Sequence, residues 1–347
     1  MKTALQKISL PQKEVTCGGL AYDFVPSQNR ERWLRAISAL TMPRALSGFE
    51  WEAFKKQAVR AAVESLPQDI EQMLRHLAES NDSEHDGIVI DNLPRASNEA
   101  PLKEAPNETA KPSVVEAVLV GLAGVAGCDI IGYRQEKRGT LIHRVEPEPG
   151  KEHTQSNAGI VKFNYHSDNA FLTRATQPQL LGLLGSINEG DVATLLLSLE
   201  QDIIPQMPSK LLRILRQPIF RFRAPESFDF GGYLVASGLR PMIYEDEHGK
   251  SHIALPGATF RQETRRAERA MREFKELLDT LTPRTIVVSP GRFLAFRNTR
   301  VVHGRSPISG KRLLHRIYFT RTLAAQCGKV AVVEESQVFD TRLLLGA

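Results

Sequence analysis

A histidine and an aspartate lie two residues apart in the segment FNYHSDNAF. In an extended strand, residues at positions i and i+2 point to the same face, so His166 and Asp168 would share one surface. The neighbouring Phe163, Tyr165 and Phe171 predict an apolar environment. A polar pair in such an environment costs free energy unless a partner satisfies it, and a metal ion is the candidate partner.

The third ligand of such a site is predicted to be His303, one of nine histidines in the chain. It lies in FLAFRNTRVVHGRSP, at the end of another predicted strand. Two histidines and one carboxylate are the ligands of non-haem Fe(II) oxygenases, because this set leaves coordination positions open. A histidine followed two residues later by an aspartate is common by chance, so a hydrogen-bonded core position for His166 is the alternative.

Two arginines that follow His303 predict a site for carboxylates. Arg312 and Arg316 lie four residues apart in RLLHR, so a strand would direct both to one face. Buried guanidinium groups are destabilising unless anions meet them, and a guanidinium binds a carboxylate through two hydrogen bonds. Thr194, a hydroxyl in the apolar stretch GDVATLLLSL, is placed to share such a carboxylate.

The run from Arg284 to Arg321 contains nine basic residues and no acidic residue, in a chain of net charge +5. A nucleic-acid face is one interpretation of this run, and a site for small carboxylates is the other. The basic residues are interleaved with apolar, strand-like residues instead of being clustered on a helix or in a tail. This pattern favours the carboxylate site, so we expect no nucleic-acid partner.

Composition is that of an ordinary globular protein. The 347 residues suffice for a large core, with 41% apolar and 24% charged residues. No apolar run reaches the roughly 18 residues that a membrane span requires, and the N-terminal sequence lacks the apolar core of a signal peptide. We therefore expect a cytoplasmic protein with no membrane partner. Three widely spaced cysteines indicate neither a disulfide framework nor a zinc cluster.

Helical patterns come first in the chain and strand patterns follow. Helices are predicted at residues 29–43, 48–78, 113–126, 208–217 and 262–281, with a polar loop at 95–113. Strands are predicted at GIVIDNLP, CDIIGY, GTLIHRV, GIVKFNY, ATLLLSL, PIFRFR, SHIAL, TIVVS, RFLAFRN and RLLHRIYFTR. Many strands of similar spacing after a helical start predict a β-sandwich or a jelly roll with helical decoration, an α+β fold.

Together these motifs resemble those of a known family. HSDNAF, Thr194 at 28 residues after His166, and VVHGRSP followed by RLLHR are similar to the clavaminate synthase-like Fe(II)/2-oxoglutarate oxygenases. This group belongs to the taurine dioxygenase superfamily, and the greatest similarity is to its free amino-acid hydroxylases of the arginine and asparagine type. The resemblance covers residues 85 to 325 and implies a double-stranded β-helix, which is a jelly roll.

The resemblance also implies roles for particular residues. His166, Asp168 and His303 match the iron ligands of the family. Arg312 matches the arginine that pairs with the distal carboxylate of 2-oxoglutarate, and Thr194 matches the hydroxyl that assists it. Many amino-acid hydroxylases carry Glu where this chain carries Asp168, and the loop between His303 and Arg312 is short here. Neither difference removes a metal ligand.

Three further residues match the substrate-binding positions of the family. Arg316 matches the arginine that meets the acidic group of the substrate, and Gln135 matches the glutamine that contacts its α-amino group. Ser156, ten residues before His166, matches a serine nearby.

The side chain of the substrate is predicted from a register count. In arginine hydroxylases of the group, acidic residues 46 to 48 positions before the distal histidine meet the guanidinium. Counting back from His303 gives Gly257 and Leu255, which carry no charge, although Glu245, Asp246 and Glu247 lie nearby. Because an unpaired buried cation is costly, an amide, ureido or apolar side chain is favoured over a cationic one.

The expected enzyme uses Fe(II), 2-oxoglutarate and O2 to hydroxylate an unactivated C–H bond of a free L-amino acid, in specialised-metabolite biosynthesis. We expect one oxygenase domain over residues 1–347, with a helical part at 1–85, a jelly-roll core at 86–325, a lid at 224–259 and a tail at 326–347. An oxygenase acting on a sulfonate, another small acid or a carrier-bound substrate remains an alternative. A non-enzymatic jelly-roll binding protein is the other, and no oligomeric state is predicted.

Overall fold

Two β-sheets form the centre of the protein, and helices cover the outer face of the larger sheet. The computed structural model describes residues 19–43, 48–79, 85–95, 114–257, 261–321 and 337–345. The helices are α1 Ser27–Ile37, α2 Gly48–Val63, α3 Gln68–Glu79, α4 Val114–Val125, α5 Ser209–Leu215, α6 Arg265–Thr280 and α7 Thr341–Leu344. None of the helices in these ranges is long and apolar enough to cross a membrane.

Fourteen strands are described, and they divide between a large sheet, a small sheet and a separate hairpin. The strands are β1 Leu20–Phe24, β2 Gly87–Asp91, β3 Asp129–Tyr133, β4 Ile142–Val145, β5 Phe163–His166, β6 Leu180–Asn188, β7 Ala193–Ser198, β8 Ile243–Glu245, β9 Ser251–Ile253, β10 Arg284–Val287, β11 Phe293–Arg297, β12 Val301–Arg305, β13 Arg312–Thr320 and β14 Val338–Phe339. The large sheet has the order β1-β2-β11-β6-β13-β3-β14, and β4 also pairs with β13. The small sheet has the order β10-β7-β12-β5, and β8 pairs with β9.

Successive side chains of β13 point alternately to the space between the two sheets and to the outer face of the large sheet. Leu314 and Tyr318 belong to the hydrophobic cluster that also contains residues of the small sheet. Ile317 and Phe319 belong to the cluster that the large sheet forms with α1 to α4. Because successive side chains of a strand point to opposite faces, the even-numbered residues of β13 face the small sheet. The fold thus directs polar side chains of β13 at the space between the sheets.

Helices form where the sequence predicts them, with two changes of extent. The helix predicted at 29–43 ends at Ile37. The helix predicted at 48–78 is two helices, because the chain turns after Val63 and Pro67 stands immediately before α3. The patterns at 113–126, 208–217 and 262–281 correspond to α4, α5 and α6. Most of the predicted loop at 95–113 lies outside the described residues.

The strand predictions fail in several places. The sequence analysis missed β8, and FLAFRNTRVVHGRSP forms two strands, β11 and β12, so His303 lies inside a strand and not at its end. PIFRFR makes only isolated bridges, between Phe220 and Arg240 and between Arg223 and Ala236. The sequence analysis missed β6, a central strand, because LLGLLGSIN is buried on both faces and does not alternate. The N-terminal part is not wholly helical, since β1 pairs in parallel with β2. The predicted tail contributes β14, which pairs with β3, and α7.

Gly185 in β6 permits a close approach of another backbone segment. A Cβ atom at this position would lie 2.1 Å from the carbonyl oxygen of Ser289 and 2.6 Å from that of Val288. We expect Gly185→Ala to lower the free energy of unfolding by about 1–3 kcal/mol or more, because a backbone has to move. Urea denaturation measures this change. Gly238→Ala is the control, since a Cβ at Gly238 meets nothing within 4 Å. Equal stability of the two variants would contradict this account of β6.

Candidate metal centre

Three buried side chains meet between the sheets. His166 ends β5, His303 lies in β12, and strand pairing sets the two directly opposite each other. Asp168 follows β5. The three residues offer ligand atoms that all lie within 4.8 Å of one another. The structure therefore brings together the three residues that the sequence predicts as metal ligands.

The two imidazoles are oriented for metal binding. His166 Nδ1 lies 2.9 Å from the carbonyl oxygen of Asn164, so Nδ1 carries the proton and Nε2 keeps its lone pair. His166 Nε2 lies 3.3 Å from Asp168 Oδ1, and His303 Nε2 lies 3.7 Å from the same oxygen. Burial lowers the pKa of His303 to about 3, which keeps this imidazole in the neutral form that binds metals. Two imidazole nitrogens and one carboxylate oxygen suit Fe(II).

A turn, and not the pleat of a strand, places Asp168 beside His166. Because β5 ends at His166, Asp168 is not on the strand, and this corrects the sequence argument for the pair. The backbone N–H of Asp168 donates to Asn298 Oδ1 at 2.8 Å, and its carbonyl accepts from Asn298 Nδ2 at 2.9 Å. Asn298 is completely buried and also donates to the carbonyl of Pro178 at 3.2 Å. These bonds fix the backbone that carries the carboxylate.

Arg316 pairs with Asp168 across the space between the sheets. Its Nη1 donates to Asp168 Oδ2 at 2.8 Å. Its Nη2 donates to Glu136 Oε1 at 2.7 Å and to His143 Nδ1 at 2.7 Å. Tyr318, two residues further along β13, donates to Asp168 Oδ2 at 2.9 Å. All five side chains are buried, so they form one connected polar network beside the metal ligands.

The network sets the charge states of its members. Burial by itself raises the pKa of Asp168, but the Arg316 guanidinium outweighs it and holds that pKa far below its ordinary range. Burial raises the pKa of Glu136, although Arg316 opposes this shift. Asp168 is therefore ionised, and a carboxylate of this kind is a good metal ligand.

Arg312 and Thr194 line the same cavity as the three ligand residues, a narrow space of about 30 Å³. Both are buried, and the Nε and Nη1 atoms of Arg312 and the Oγ1 atom of Thr194 have no hydrogen-bond partner in the structure. Burial, and then the nearby Arg305, lower the pKa of Arg312 to about 9. A buried guanidinium and a buried hydroxyl without partners are what a bound carboxylate would satisfy.

Gln135 and Ser156 make contacts other than those the resemblance implies. The Gln135 amide donates to Asp340 Oδ1 at 2.8 Å and accepts from the backbone N–H of Thr341 at 2.9 Å and from its hydroxyl. It therefore holds the start of α7. The Ser156 hydroxyl lies 2.8 Å from Thr154 Oγ1 and accepts from the backbone N–H of Ala158 at 3.2 Å. Neither residue lines the cavity that contains the metal ligands.

Sequence reasoning missed Glu136, Tyr318, His143 and Asn298. Glu136 adjoins the predicted Gln135, and Glu136 is the one that bonds to Arg316. Tyr318 lies two residues after Arg316 on β13, so the pleat argument that selected Arg312 and Arg316 applies to it equally. No pattern in the sequence marks Asn298, because its partners are backbone atoms far away in the chain.

The chain has relatives among characterised enzymes. It is 29% identical over 277 residues to L-asparagine oxygenase of Streptomyces coelicolor, an alignment that covers 79% of each chain. It is 27% identical over 251 residues to clavaminate synthase 2 of Streptomyces clavuligerus, covering 68% of this chain and 74% of the relative. The chain is a homologue of these oxygenases. The resemblance drawn from its motifs is thereby confirmed, although no family model matches the chain.

Solved structures show the same fold. Asparagine oxygenase in complex with Fe(II), 2S,3S-3-hydroxyasparagine and succinate superimposes with a TM-score of 0.77 at 22% identity, over 92% of this chain and 99% of that one. The non-haem iron oxygenase OrfP in complex with Fe and alpha-ketoglutaric acid superimposes with a TM-score of 0.69 at 19% identity, over the same shares of the two chains. The sequence predicts an α+β fold, and the mixed architecture of helices and large sheets that this chain shares with these proteins agrees with it.

The buried histidines make the stability of the metal-free protein depend on pH. Burial lowers the pKa of His143 and His303 to about 3 and that of His315 to about 4. An unfolded chain binds protons at histidine near pH 6.5, so below that pH the unfolded state holds more protons than the folded state. We expect the free energy of unfolding to fall as the pH falls from about 6.5 to 4, by up to about 1.4 kcal/mol per pH unit for each histidine.

Urea unfolding at several pH values, at constant ionic strength, measures this dependence. His315→Gln supplies the control, because His315 bonds to Ser186 at 3.1 Å and is not part of the metal centre. The variant should show a shallower slope over the same pH range. A stability that stays constant down to pH 4.5, or a slope that the substitution leaves unchanged, would contradict the account.

Proposed function

We propose that this protein is an Fe(II)/2-oxoglutarate-dependent dioxygenase that hydroxylates an unactivated C–H bond of a free L-amino acid. The observation that carries the proposal is the meeting of His166, Asp168 and His303 in one cavity with the unpaired, buried Arg312. A metal site and an anion site side by side are what a chelating dicarboxylate co-substrate requires. The homology to L-asparagine oxygenase and clavaminate synthase 2 supports the same conclusion.

The two facing sheets support a jelly-roll core for this enzyme. The small sheet carries the two histidines, and the large sheet carries the arginines on the face that looks toward them. One hydrophobic cluster joins the two sheets, and a second joins the large sheet to α1 to α4. Shared clusters of this kind support a single oxygenase domain, with the N-terminal helices as part of it.

His166, Asp168 and His303 would hold Fe(II), which supplies the activation of O2 that is coupled to oxidative decarboxylation of 2-oxoglutarate. Arg312 would pair with the distal carboxylate of 2-oxoglutarate, and Thr194 would donate its hydroxyl to the same group. The protein contributes position and electrostatics, because the cavity is narrow and enclosed by buried side chains. In this enclosed space one guanidinium pairs with a carboxylate more strongly than in water.

Arg316 would meet the carboxylate of the amino-acid substrate. It lines the cavity, and among the described residues its Nε atom has no hydrogen-bond partner while Nη1 and Nη2 are bonded. Glu136, whose Oε2 atom is also buried without a partner, is a better candidate than Gln135 for a contact to the substrate's amino group. Gln135, which the resemblance implies for this contact, bonds to Asp340 and Thr341.

We expect the amino-acid substrate to have a neutral side chain. Leu255 is completely buried, and its backbone N–H donates to the Ser167 hydroxyl at 3.0 Å. A Cβ at Gly257 would lie 3.5 Å from the side chain of His166, so this segment runs beside the metal ligands. Neither residue provides a carboxylate for a cationic substrate. Asparagine is the first candidate, because the S. coelicolor relative is named L-asparagine oxygenase.

The direct test incubates the protein with Fe(II), 2-oxoglutarate and a panel of free L-amino acids, with succinate and product mass as readouts. We expect succinate and a product heavier by one oxygen atom with a neutral amino acid. Asp168→Ala should abolish both, because the metal loses its carboxylate ligand. Succinate without any hydroxylated amino acid would move the substrate to a sulfonate, another small acid or a carrier-bound molecule. Absence of iron binding would contradict the proposal.

Substitution of Arg312 and substitution of Arg316 should raise the KM of different ligands. Arg312→Ala should raise the KM for 2-oxoglutarate by roughly 100-fold, since removal of one partner of a buried charge pair costs about 2–5 kcal/mol. Arg316→Ala should raise the KM for the amino acid more than the KM for 2-oxoglutarate. Because Arg316 also bonds to Asp168, iron binding is measured in both variants and the assays use saturating iron. Equal losses for both ligands in each variant would refute this division of roles.

A further inference from the structure

The two oxygens of the Asp168 carboxylate have different surroundings. Oδ1 faces the imidazoles, at 3.3 Å from His166 Nε2 and 3.7 Å from His303 Nε2. Oδ2 faces away from them and accepts two hydrogen bonds, from Arg316 Nη1 at 2.8 Å and from Tyr318 Oη at 2.9 Å. The carboxylate is therefore turned so that one oxygen is available to a metal and the other is already bonded.

The phenol of Tyr318 is a dedicated donor to this carboxylate. A phenol has one proton, and its oxygen lies 2.9 Å from Asp168 Oδ2 but 3.4 Å from Glu136 Oε1, so Asp168 is the nearer acceptor. An ordinary phenol is protonated at neutral pH. The hydroxyl thus donates a hydrogen bond throughout the neutral pH range.

The ring of Tyr318 is fixed on three sides. It packs edge-on against Tyr133 at 6.0 Å and against His143 at 5.8 Å between ring centroids. The Arg316 guanidinium lies over it at 4.5 Å. Since the side chain is 2% exposed and comes from a central strand, the hydroxyl has little freedom to leave Asp168.

We infer that Tyr318 is a positioning residue for the iron ligand Asp168: it holds Oδ2 so that Oδ1 alone is presented to the metal. The inference rests on the proposed function and names a residue of that site that sequence reasoning did not identify. Tyr318 touches neither the co-substrate nor the amino acid in this assignment. It acts through the carboxylate, as hydrogen-bond partners of metal ligands commonly do.

Tyr318 is needed in addition to Arg316 because Arg316 has other hydrogen-bond partners. Its guanidinium also bonds to Glu136 and His143, and in the proposed function it binds the substrate carboxylate. A new anion at the Nε side of Arg316 shares the positive charge of the guanidinium with Asp168, which Nη1 holds. The phenol has no such competing ligand, so it keeps the carboxylate in place when the substrate enters and when it leaves.

The test compares Tyr318→Phe with Tyr133→Phe by titrating the metal-free protein with Co(II) and following its visible absorption. Tyr133 is the matched control, because it is also buried, packs against Tyr318 and donates its hydroxyl to a backbone carbonyl, that of Thr176, at 2.9 Å. We expect Tyr318→Phe to raise the Kd for Co(II) roughly 10- to 100-fold, the usual effect of removing a partner of a metal ligand. We expect Tyr133→Phe to leave the Kd unchanged.

Urea unfolding of both metal-free variants shows whether each retains its fold, which is expected because phenylalanine keeps the ring packing. An unchanged Kd in Tyr318→Phe overturns the inference and leaves the metal site intact. An equal rise in both variants also overturns it, because the loss would then come from general packing. Failure of the parent protein to bind one Co(II), or binding that Asp168→Ala does not weaken, contradicts the proposed function itself.

Discussion

A buried carboxylate paired with a buried guanidinium is the interaction on which this site depends. Asp168 lies on the small-sheet side and Arg316 on the large-sheet side, so their bond spans the space between the two sheets. An isolated charge at either position would be costly, and removing one partner from such a pair is strongly destabilising. The pair therefore links the two sheets at the point where the three predicted metal ligands converge.

The two sheets contribute different chemistry because of their strand pairing. In the small sheet, β5 and β12 are neighbours, and their register places His303 opposite His166. In the large sheet, β13 lies between β6 and β3, and its inward face carries Arg312 and Arg316. In the proposed function, the metal ligands come from the small sheet and the turn after β5, and the two arginines that bind anions come from the large sheet. A ligand that is both a metal chelator and an anion fits only between them.

Residue types were enough to predict that His166, Asp168 and His303 meet, and pleat periodicity was enough to predict that Arg312 and Arg316 share one face of β13. The route by which they meet was not predictable in the same way. Asp168 was expected on a strand, but it lies in a turn that Asn298 holds from 130 residues away in the sequence. Such long-range contacts to backbone atoms have no sequence signature.

The contacts of Gln135 and the formation of β6 also depend on tertiary packing. Gln135 and Glu136 are adjacent, and only the local path of the chain after β3 determines that Glu136 bonds to Arg316 while Gln135 turns to α7. The central strand β6 was missed because burial on both faces removes the alternation by which strands are recognised. In both cases tertiary packing outweighed the local pattern.

The central claim is that one iron ion binds between His166, Asp168 and His303. Anomalous diffraction at the iron edge, from crystals grown anaerobically with Fe(II), tests it most directly. The account predicts a single strong peak within bonding distance of the Nε2 atoms of both histidines and of Asp168 Oδ1. A peak at any other place in the protein, or no peak with fully reduced iron in excess, would contradict it.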